Sequence, residues 1–192
     1  MAPRAQEKAC LLCRSRARSQ HRAAKQTGAF SGAMRPNLIG LLDHIGLHRW
    51  LELTSCDALF DSAAHLVQTT SILRHPVFAD GENYNGSPNM VRSPFLRAQI
   101  EAHFAEEARA LKEAVLVPLG PKVSEGLDWL VQRGVIPADR ILHGLPHPSG
   151  ANAERIAYFL GRKARSALSP KTDAARLDVI NRDLKERVLK LR

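Results

Sequence analysis

The residues whose types and spacing could do chemistry are concentrated in the stretch from 141 to 156, ILHGLPHPSGANAERI. His147 lies between Pro146 and Pro148, and each proline fixes its own φ and pushes the preceding residue into extended backbone. The backbone of His147 is therefore rigid, and its imidazole points where the loop points.

Such a loop has to be positioned by the elements on either side of it. Ile141-Leu142 is typical of the end of a buried strand, and Ser149 or Asn152 could cap the helix that continues through Tyr158-Phe159-Leu160. A strand, a stiff polar loop and a helix N-terminus together present backbone N–H groups to an anion. The alternative is an ordinary strand-to-helix connection in which His147 only caps or packs.

The segment His147-Pro148-Ser149-Gly150-Ala151-Asn152 resembles the second signature loop of the uracil-DNA glycosylase superfamily, in which a His or Asn is followed by Pro-Ser. The resemblance implies an enzyme that extrudes a uracil or another deaminated base from DNA and hydrolyses its N-glycosidic bond. It implies that His147 is the catalytic residue and donates to a carbonyl oxygen of the departing base. It also implies contacts with DNA phosphates from Ser149, Gly150, Asn152 and Arg155.

The order of the elements between 28 and 165 is similar to that of the same superfamily. Phe30 matches the aromatic residue that stacks on the extruded base, although it could instead pack on the following helix as a hydrophobic staple. Ser71 occupies the position of an Asn that reads the uracil edge, and a hydroxyl cannot give the bidentate match of an amide. Asn83 and Asn85, in the polar loop that follows, could supply that amide.

The sequence departs from the family before Phe30. A first signature loop, Gly-x-x-Pro-Gly or similar, should follow a buried strand there and position the attacking water, but this region is only rich in Arg, Ala and Ser. Losing such a group costs about 10²–10⁴ in rate, so we expect a weakened or inactive enzyme. Asp43, Asp57 and Asp61 lie nearby in the sequence, and nothing marks one of them as a replacement. The alternative function is a non-catalytic nucleic-acid-binding protein with the same fold and basic tails.

Positive charge is concentrated at the two ends of the 192-residue chain, whose net charge is +9. Residues 1–35 carry eight Lys and Arg against one acid, and residues 162–192 carry ten against four. Basic ends favour DNA as a partner because binding releases phosphate counterions, although simple solvated tails look the same. We expect a basic, disordered segment at 1–27, a glycosylase-like domain at 28–165 and a basic helical tail at 166–192.

Cysteine use and hydropathy limit the compartment and the cofactors. Cys10, Cys13 and Cys56 are too few and too oddly numbered for a disulfide framework, which favours a reducing compartment, the bacterial cytoplasm or nucleoid. Cys10 and Cys13 form a lone C-x-x-C, whereas a structural zinc site needs four ligands. We therefore expect no metal site and no cofactor. No apolar run approaches membrane-spanning length. The expected oligomeric state is a monomer.

Residue periodicity predicts the fold class. Because apolar runs rich in β-branched residues alternate with amphipathic stretches, we expect an α/β protein: three-layer α/β/α with a short, mostly parallel central sheet and basic, partly disordered termini. Ligands in such sheets bind at the carboxyl ends of the strands, where His147, Ser71 and the loop 80–89 could meet. The main predicted elements are strands at 66–73 and 115–117, helices at 38–45 (capped by Asn37), 94–114 and 122–133, and a C-terminal helix with Leu177, Ile180, Leu184, Val188 and Leu191 on one face.

Overall fold

The first strand lies where the sequence predicts disorder. A computed structural model describes residues 10–14, 30 and 32–191, and in it Cys10–Arg14 forms β1. The expectation of a disordered segment at 1–27 is wrong for these five residues, because β1 pairs with a neighbouring strand on each side. The remaining residues of that segment lie outside the described part of the chain.

Helices make up most of the described chain. They are joined by short 3₁₀ turns, and one long helical stretch includes a π-helical segment. After β1, the elements in chain order are α1 (Met34–His44), α2 (Leu47–Trp50), 3₁₀ turns at Cys56–Phe60 and Ala64–Leu66, β2 (Val67–Ser71), β3 (Phe78–Ala79), β4 (Glu82–Asn83), α3 (Pro94–Gln99), the π-helix Ile100–Ala105, α4 (Glu106–Ala110), β5 (Val115–Pro118), α5 (Pro121–Gln132), 3₁₀ turns at Ala138–Arg140 and Gly150–Asn152, α6 (Ala153–Phe159), a 3₁₀ turn at Arg165–Ala167 and α7 (Ala174–Lys190).

The predicted three-layer α/β/α fold around a central, mostly parallel sheet is wrong. In the described part of the chain, helices and helical turns far outnumber the few short strands. Short strands pair in parallel in the order β2-β1-β5, and β3 and β4 form a two-stranded antiparallel ribbon. The strand predicted at 66–73 shortens to Val67–Ser71, and the one predicted at 141–142 forms a single bridge from Ile141 to Leu116. With so few residues in strands, helices supply most of the core.

Two apolar clusters meet at β5. Val115 and Val117 belong to the first cluster, together with residues of α1, α2, α6 and α7. Leu116 belongs to the second, together with residues of α3, α4 and α5. Successive side chains of a strand point to opposite faces, so one short strand contributes to both clusters. Burying each of these side chains stabilises the fold by about 1.5–3 kcal/mol.

Helix α1 begins earlier than its sequence predicts. The helix starts at Met34 instead of after an Asn37 cap, and Asn37 lies inside it. Its amide is thereby turned to another part of the chain, the carbonyl of Pro148, at 3.0 Å. Gly46 follows the end of the helix with a φ of 85°, a conformation that suits glycine.

The helix predicted at 94–114 is divided into three pieces and ends at Ala110. Phe95 is 68% exposed, whereas Leu96, Ile100 and Phe104 are buried. Glu107 accepts a hydrogen bond from the Thr70 hydroxyl at 2.7 Å. The helices at 121–132 and 174–190 form close to where the periodicity predicts.

Candidate functional site

The loop around His147 is held in place by buried neighbours. Leu145 is 4% exposed, both flanking prolines are buried, and His147 itself is half-buried. The carbonyl of Pro148 accepts the hydrogen bond from the Asn37 amide, which ties the loop to α1 across 111 positions of the chain. The stiffness that the prolines impose locally is therefore matched by an anchor from a distant helix.

A backbone amide selects the tautomer of the His147 ring. The N–H of Ser149 donates to Nδ1 of His147 at 3.2 Å. A nitrogen that accepts a hydrogen bond carries no proton, so the neutral ring holds its proton on Nε2. The backbone of the loop thus defines which nitrogen is the donor when the His147 ring is neutral.

The His147 ring lies beside the turn that follows β5. A methyl group added at Gly120 would be 3.5 Å from Cδ2 of His147. Gly120 has a φ of 109°, a conformation that favours glycine, and it immediately precedes α5. His147 is therefore located near the carboxyl end of β5.

Three residues predicted to contact phosphate, Ser149, Asn152 and Arg155, are joined to one another by hydrogen bonds. The Asn152 amide donates to the Ser149 hydroxyl at 3.2 Å, and the Arg155 guanidinium donates to the Asn152 side-chain oxygen at 2.8 Å. Gly150 is exposed beside them. Asn152 takes the N-cap position of α6 and Ser149 that of the preceding 3₁₀ turn, as predicted, but neither makes a side-chain cap hydrogen bond.

Sequence reasoning missed the role of Glu154 in the first turn of α6. Its carboxylate accepts from the Lys163 ammonium at 2.9 Å, from the Ser169 hydroxyl at 2.6 Å and from the Thr172 hydroxyl at 2.5 Å. These donors, Lys163 above all, hold the pKa of Glu154 well below its ordinary value. The carboxylate therefore fastens the segment 163–172 to α6, and its partners are too far away in sequence for a local pattern to reveal them.

His143, the other histidine of the stretch, faces a different partner. Its Nε2 lies 3.2 Å from a carboxylate oxygen of Asp128 on α5. Burial lowers the pKa of His143, and the charge of Asp128 opposes that shift. This contact joins the start of the loop to α5.

The structure places Phe30 in the core. The ring is 1% exposed and lies edge-on to Phe60, with centroids 6.1 Å apart and an interplanar angle of 76°. Its φ of 61° is unusual for a residue other than glycine. Phe30 thus packs within the first apolar cluster, beside α1.

Ser71 lies at the same sheet edge as the loop that contains His147. It ends β2 and pairs with Arg14, one position beyond the pairing of Cys13 with Pro118 of β5. Because β2 and β5 are separated by one strand, their backbones are about 10 Å apart. The structure therefore brings Ser71 to the edge that also carries Gly120.

Asn83 and Asn85 are both exposed. The side-chain oxygen of Asn85 accepts from the N–H of Ser87 at 3.1 Å, which shapes a local turn. The end of this loop is fixed to α5, because the Asn89 amide donates to Glu125 at 2.7 Å.

The three acids considered as replacements for the first signature loop, Asp43, Asp57 and Asp61, lie within α1 and around the 3₁₀ turn that follows it. Asp43 already accepts from the Ser55 hydroxyl and from the N–H of Cys56, each at 2.7 Å. Asp57 lies in the first turn of a 3₁₀ segment, and Asp61 follows the end of that segment. The segment in which the first signature loop was sought lies largely outside the described residues.

The length and hydropathy of the helices decide whether any of them could cross a membrane. Across the described residues, none of the helices combines the length and the apolar character needed to cross a bilayer.

Comparison with known proteins gives one relative without an assigned role. The chain is 35% identical over 156 residues to the uncharacterized protein YoxB of Bacillus subtilis (strain 168). The match covers 80% of this chain and 61% of the relative, so the chain spans about three fifths of the length of the curated relative it matches. No family model matches the chain, and no solved structure matches it.

Proposed function

We propose that this protein is a DNA glycosylase that hydrolyses the N-glycosidic bond of a flipped uracil or other deaminated base. The observation that carries the proposal is the hydrogen bond from the Ser149 N–H to Nδ1 of His147. It leaves Nε2 as the protonated nitrogen of a neutral ring, and a neutral N–H donor suits an anionic leaving base. The resemblance of the His-Pro-Ser loop to that of the uracil-DNA glycosylases supports the same assignment.

The chemistry required of His147 is limited and specific. As the bond between the base nitrogen and C1′ of the sugar breaks, the bonding electron pair leaves with the base and charge accumulates on its carbonyl oxygen. A hydrogen-bond donor fixed in advance stabilises that charge more in the transition state than in the substrate. The flanking prolines and the Asn37 anchor hold the ring in one position, so little reorganisation is needed during the reaction.

The chain Ser149–Asn152–Arg155 is proposed to contact the DNA backbone. Hydroxyl, amide and guanidinium donors are the groups that most often hold phosphate oxygens, and such contacts fix the position of the duplex without reading its sequence. Arg155 bonds through one nitrogen to Asn152 and through the other to the carbonyl of Lys171. This arrangement orients the guanidinium beside the loop that contains His147.

Slow turnover is part of the proposal. Of the acids considered as replacements, Asp43 is occupied by two donors of its own chain. Without general-base assistance the rate is expected to be lower by about 10²–10⁴ than with it. Extrusion of the base, which costs least at a mispaired uracil, then favours lesions in unstable pairs. The proposed location of this activity is the bacterial cytoplasm or nucleoid, and the proposed acting form is a monomer.

A base-release assay tests the proposal. Oligonucleotides carrying uracil, hypoxanthine or xanthine are incubated with the protein at low salt, and abasic sites are detected by alkaline strand cleavage. We expect slow release that His147→Ala lowers by about 10²–10³, the usual effect of removing one such donor. His147→Asn should keep part of the activity because its amide still donates, and His65→Ala, at an exposed position elsewhere, should keep all of it.

Two outcomes would contradict the glycosylase proposal. One is the absence of release from all three substrates, and the other is an unchanged rate in His147→Ala. DNA binding measured in parallel then tests the second candidate, a non-catalytic nucleic-acid-binding protein. Exposed arginines of the C-terminal region, including Arg165, Arg176 and Arg182, favour that candidate, which requires binding that weakens steeply with salt.

A further inference from the structure

Two histidines that play no part in the proposed glycosylase lie against each other on the surface. Nε2 of His75 is 3.2 Å from Nε2 of His103, and the ring centroids are 4.8 Å apart with an interplanar angle of 80°. The residues are separated by 28 positions in the sequence. The Nε2 atoms of the two rings are therefore neighbours within hydrogen-bond distance.

We propose that a divalent transition-metal ion, zinc(II), nickel(II) or copper(II), binds between His75 and His103. Imidazole nitrogens are preferred ligands of these ions. Metal–nitrogen bonds of about 2.0–2.1 Å separate two ligand atoms by about 3.3 Å at a tetrahedral angle and by about 2.9 Å at a right angle. The observed separation of 3.2 Å lies between these values, so the rings are already at the distance that shared ligation requires.

The backbone on both sides of the pair is anchored. His75 follows the buried residues Ile72 and Leu73 after β2, and Pro76 restricts its backbone. His103 lies in the π-helix Ile100–Ala105, next to Phe104, which is 1% exposed. Segments of π-helix occur frequently at functional sites. Because buried neighbours hold both backbones, the ion does not need to order a loop on binding.

Metal binding changes the positions of the protons on the two rings without changing their number. In the metal-free protein one neutral ring donates its Nε2 proton to Nε2 of the other. An ion that binds both Nε2 atoms requires both to be unprotonated, so the donating ring changes to its Nδ1–H tautomer. No oxidant, reductant or further reactant takes part. The ion simply replaces the shared proton as the link between the rings.

Two protein ligands leave the remaining positions of the ion open. Among the residues that the structure describes, no group of three or more His, Cys, Asp or Glu side chains could hold a metal. Glu107, one turn after His103, is occupied by the Thr70 hydroxyl and lies 4.0 Å from the guanidinium of Arg74. Water or an anionic ligand would complete the coordination, which is characteristic of open sites and not of structural ones.

Isothermal titration calorimetry of the full-length, chelator-treated protein with nickel(II) tests this proposal. We expect a saturable site that either His75→Ala or His103→Ala weakens by at least about tenfold, because each variant removes one arm of a two-point attachment. The double variant, which keeps neither imidazole, should show no saturable binding at this site. His65→Ala is the matched control, since it removes another exposed histidine and should leave the affinity unchanged.

A second measurement does not depend on the variants. In the unaltered protein labelled with nitrogen-15, sub-stoichiometric zinc(II) should shift the imidazole Nε2 signals of two histidines together. The proposal is overturned if the protein shows no saturable binding, if only one of the two alanine variants is weakened, or if zinc(II) shifts no pair of Nε2 signals. Base release is not measured in these experiments, so their outcome is separate from that of the glycosylase proposal.

Discussion

Two regions of this protein use histidine in opposite ways. His147 is half-buried and receives a hydrogen bond on Nδ1 from the N–H of Ser149, two residues away. His75 and His103 contact each other on the surface through their side chains, and the roles of their nitrogens can be exchanged between tautomers. In the first region the backbone decides which nitrogen carries the proton. In the second region, either nitrogen can carry the proton, and a bound ligand would determine which one does.

The difference explains why the same side chain suits two different tasks. A ring with one nitrogen already used by a backbone amide has a single defined donor, which suits the stabilisation of a leaving anion. Two rings with interchangeable tautomers can both become acceptors, which suits a cation. A good test of the comparison is therefore a change that alters one region and leaves the other intact.

Gly120→Ala should have the largest effect on stability, and its effect should be confined to the region around His147. The φ of 109° strains any residue with a side chain, and the new methyl would contact the His147 ring. We expect a loss of about 1–3 kcal/mol in the free energy of unfolding, measured by urea denaturation, together with slower base release. Nickel(II) binding at His75 and His103 should be unchanged.

The control for this change is Gly150→Ala in the same loop. Nothing lies within 4 Å of the position that its methyl would take. Its unfolding free energy should stay within about 0.5 kcal/mol of that of the unaltered protein. Equal losses in the two variants would mean that the turn after β5 has no special relation to His147.

Asn37→Ala should have a smaller effect on the same region. It removes the hydrogen bond to the buried carbonyl of Pro148, so we expect a loss of about 0.5–1.5 kcal/mol in the free energy of unfolding. Because the loop would be less firmly held, kcat for base release should fall while KM changes little. Asn83→Ala, at an exposed position, is the control for stability. An unchanged kcat in Asn37→Ala would show that α1 does not position the loop.

Glu154→Gln should have the smallest effect and should depend on pH. The pKa of Glu154 is lower in the folded protein than its ordinary value of 4.5, so its charge contributes stability above that pH, and this contribution is lost as the pH falls toward the folded value. The stability difference between the two proteins should therefore be constant near neutral pH and shrink below pH 4.5. Thermal unfolding between neutral and acidic pH measures it, with Glu82→Gln as an exposed control. A difference that grows on acidification would contradict this assignment.

The sequence predicts those parts of the fold that repeat over several turns. Helix α5 follows its apolar spacing closely, and α7 buries Leu177, Leu184 and Val188 of the face predicted for it. Strand β1 was missed because five residues within Arg-rich sequence carry too little pattern to outweigh their surroundings. The fold class was wrong because short apolar runs suggested a larger sheet than the few short strands of the described chain form.

The candidate site divides in the same way. The stiffness of the loop that contains His147, the charge of the chain ends and the periodic helices follow from the sequence, because prolines, charges and apolar spacing act on their own neighbourhood. Only the tertiary structure brings Asn37 to Pro148, sets Gly120 against the His147 ring and places His75 on His103. Those contacts join residues 27 to 111 positions apart. They depend on how the helices pack, and no local pattern encodes that packing.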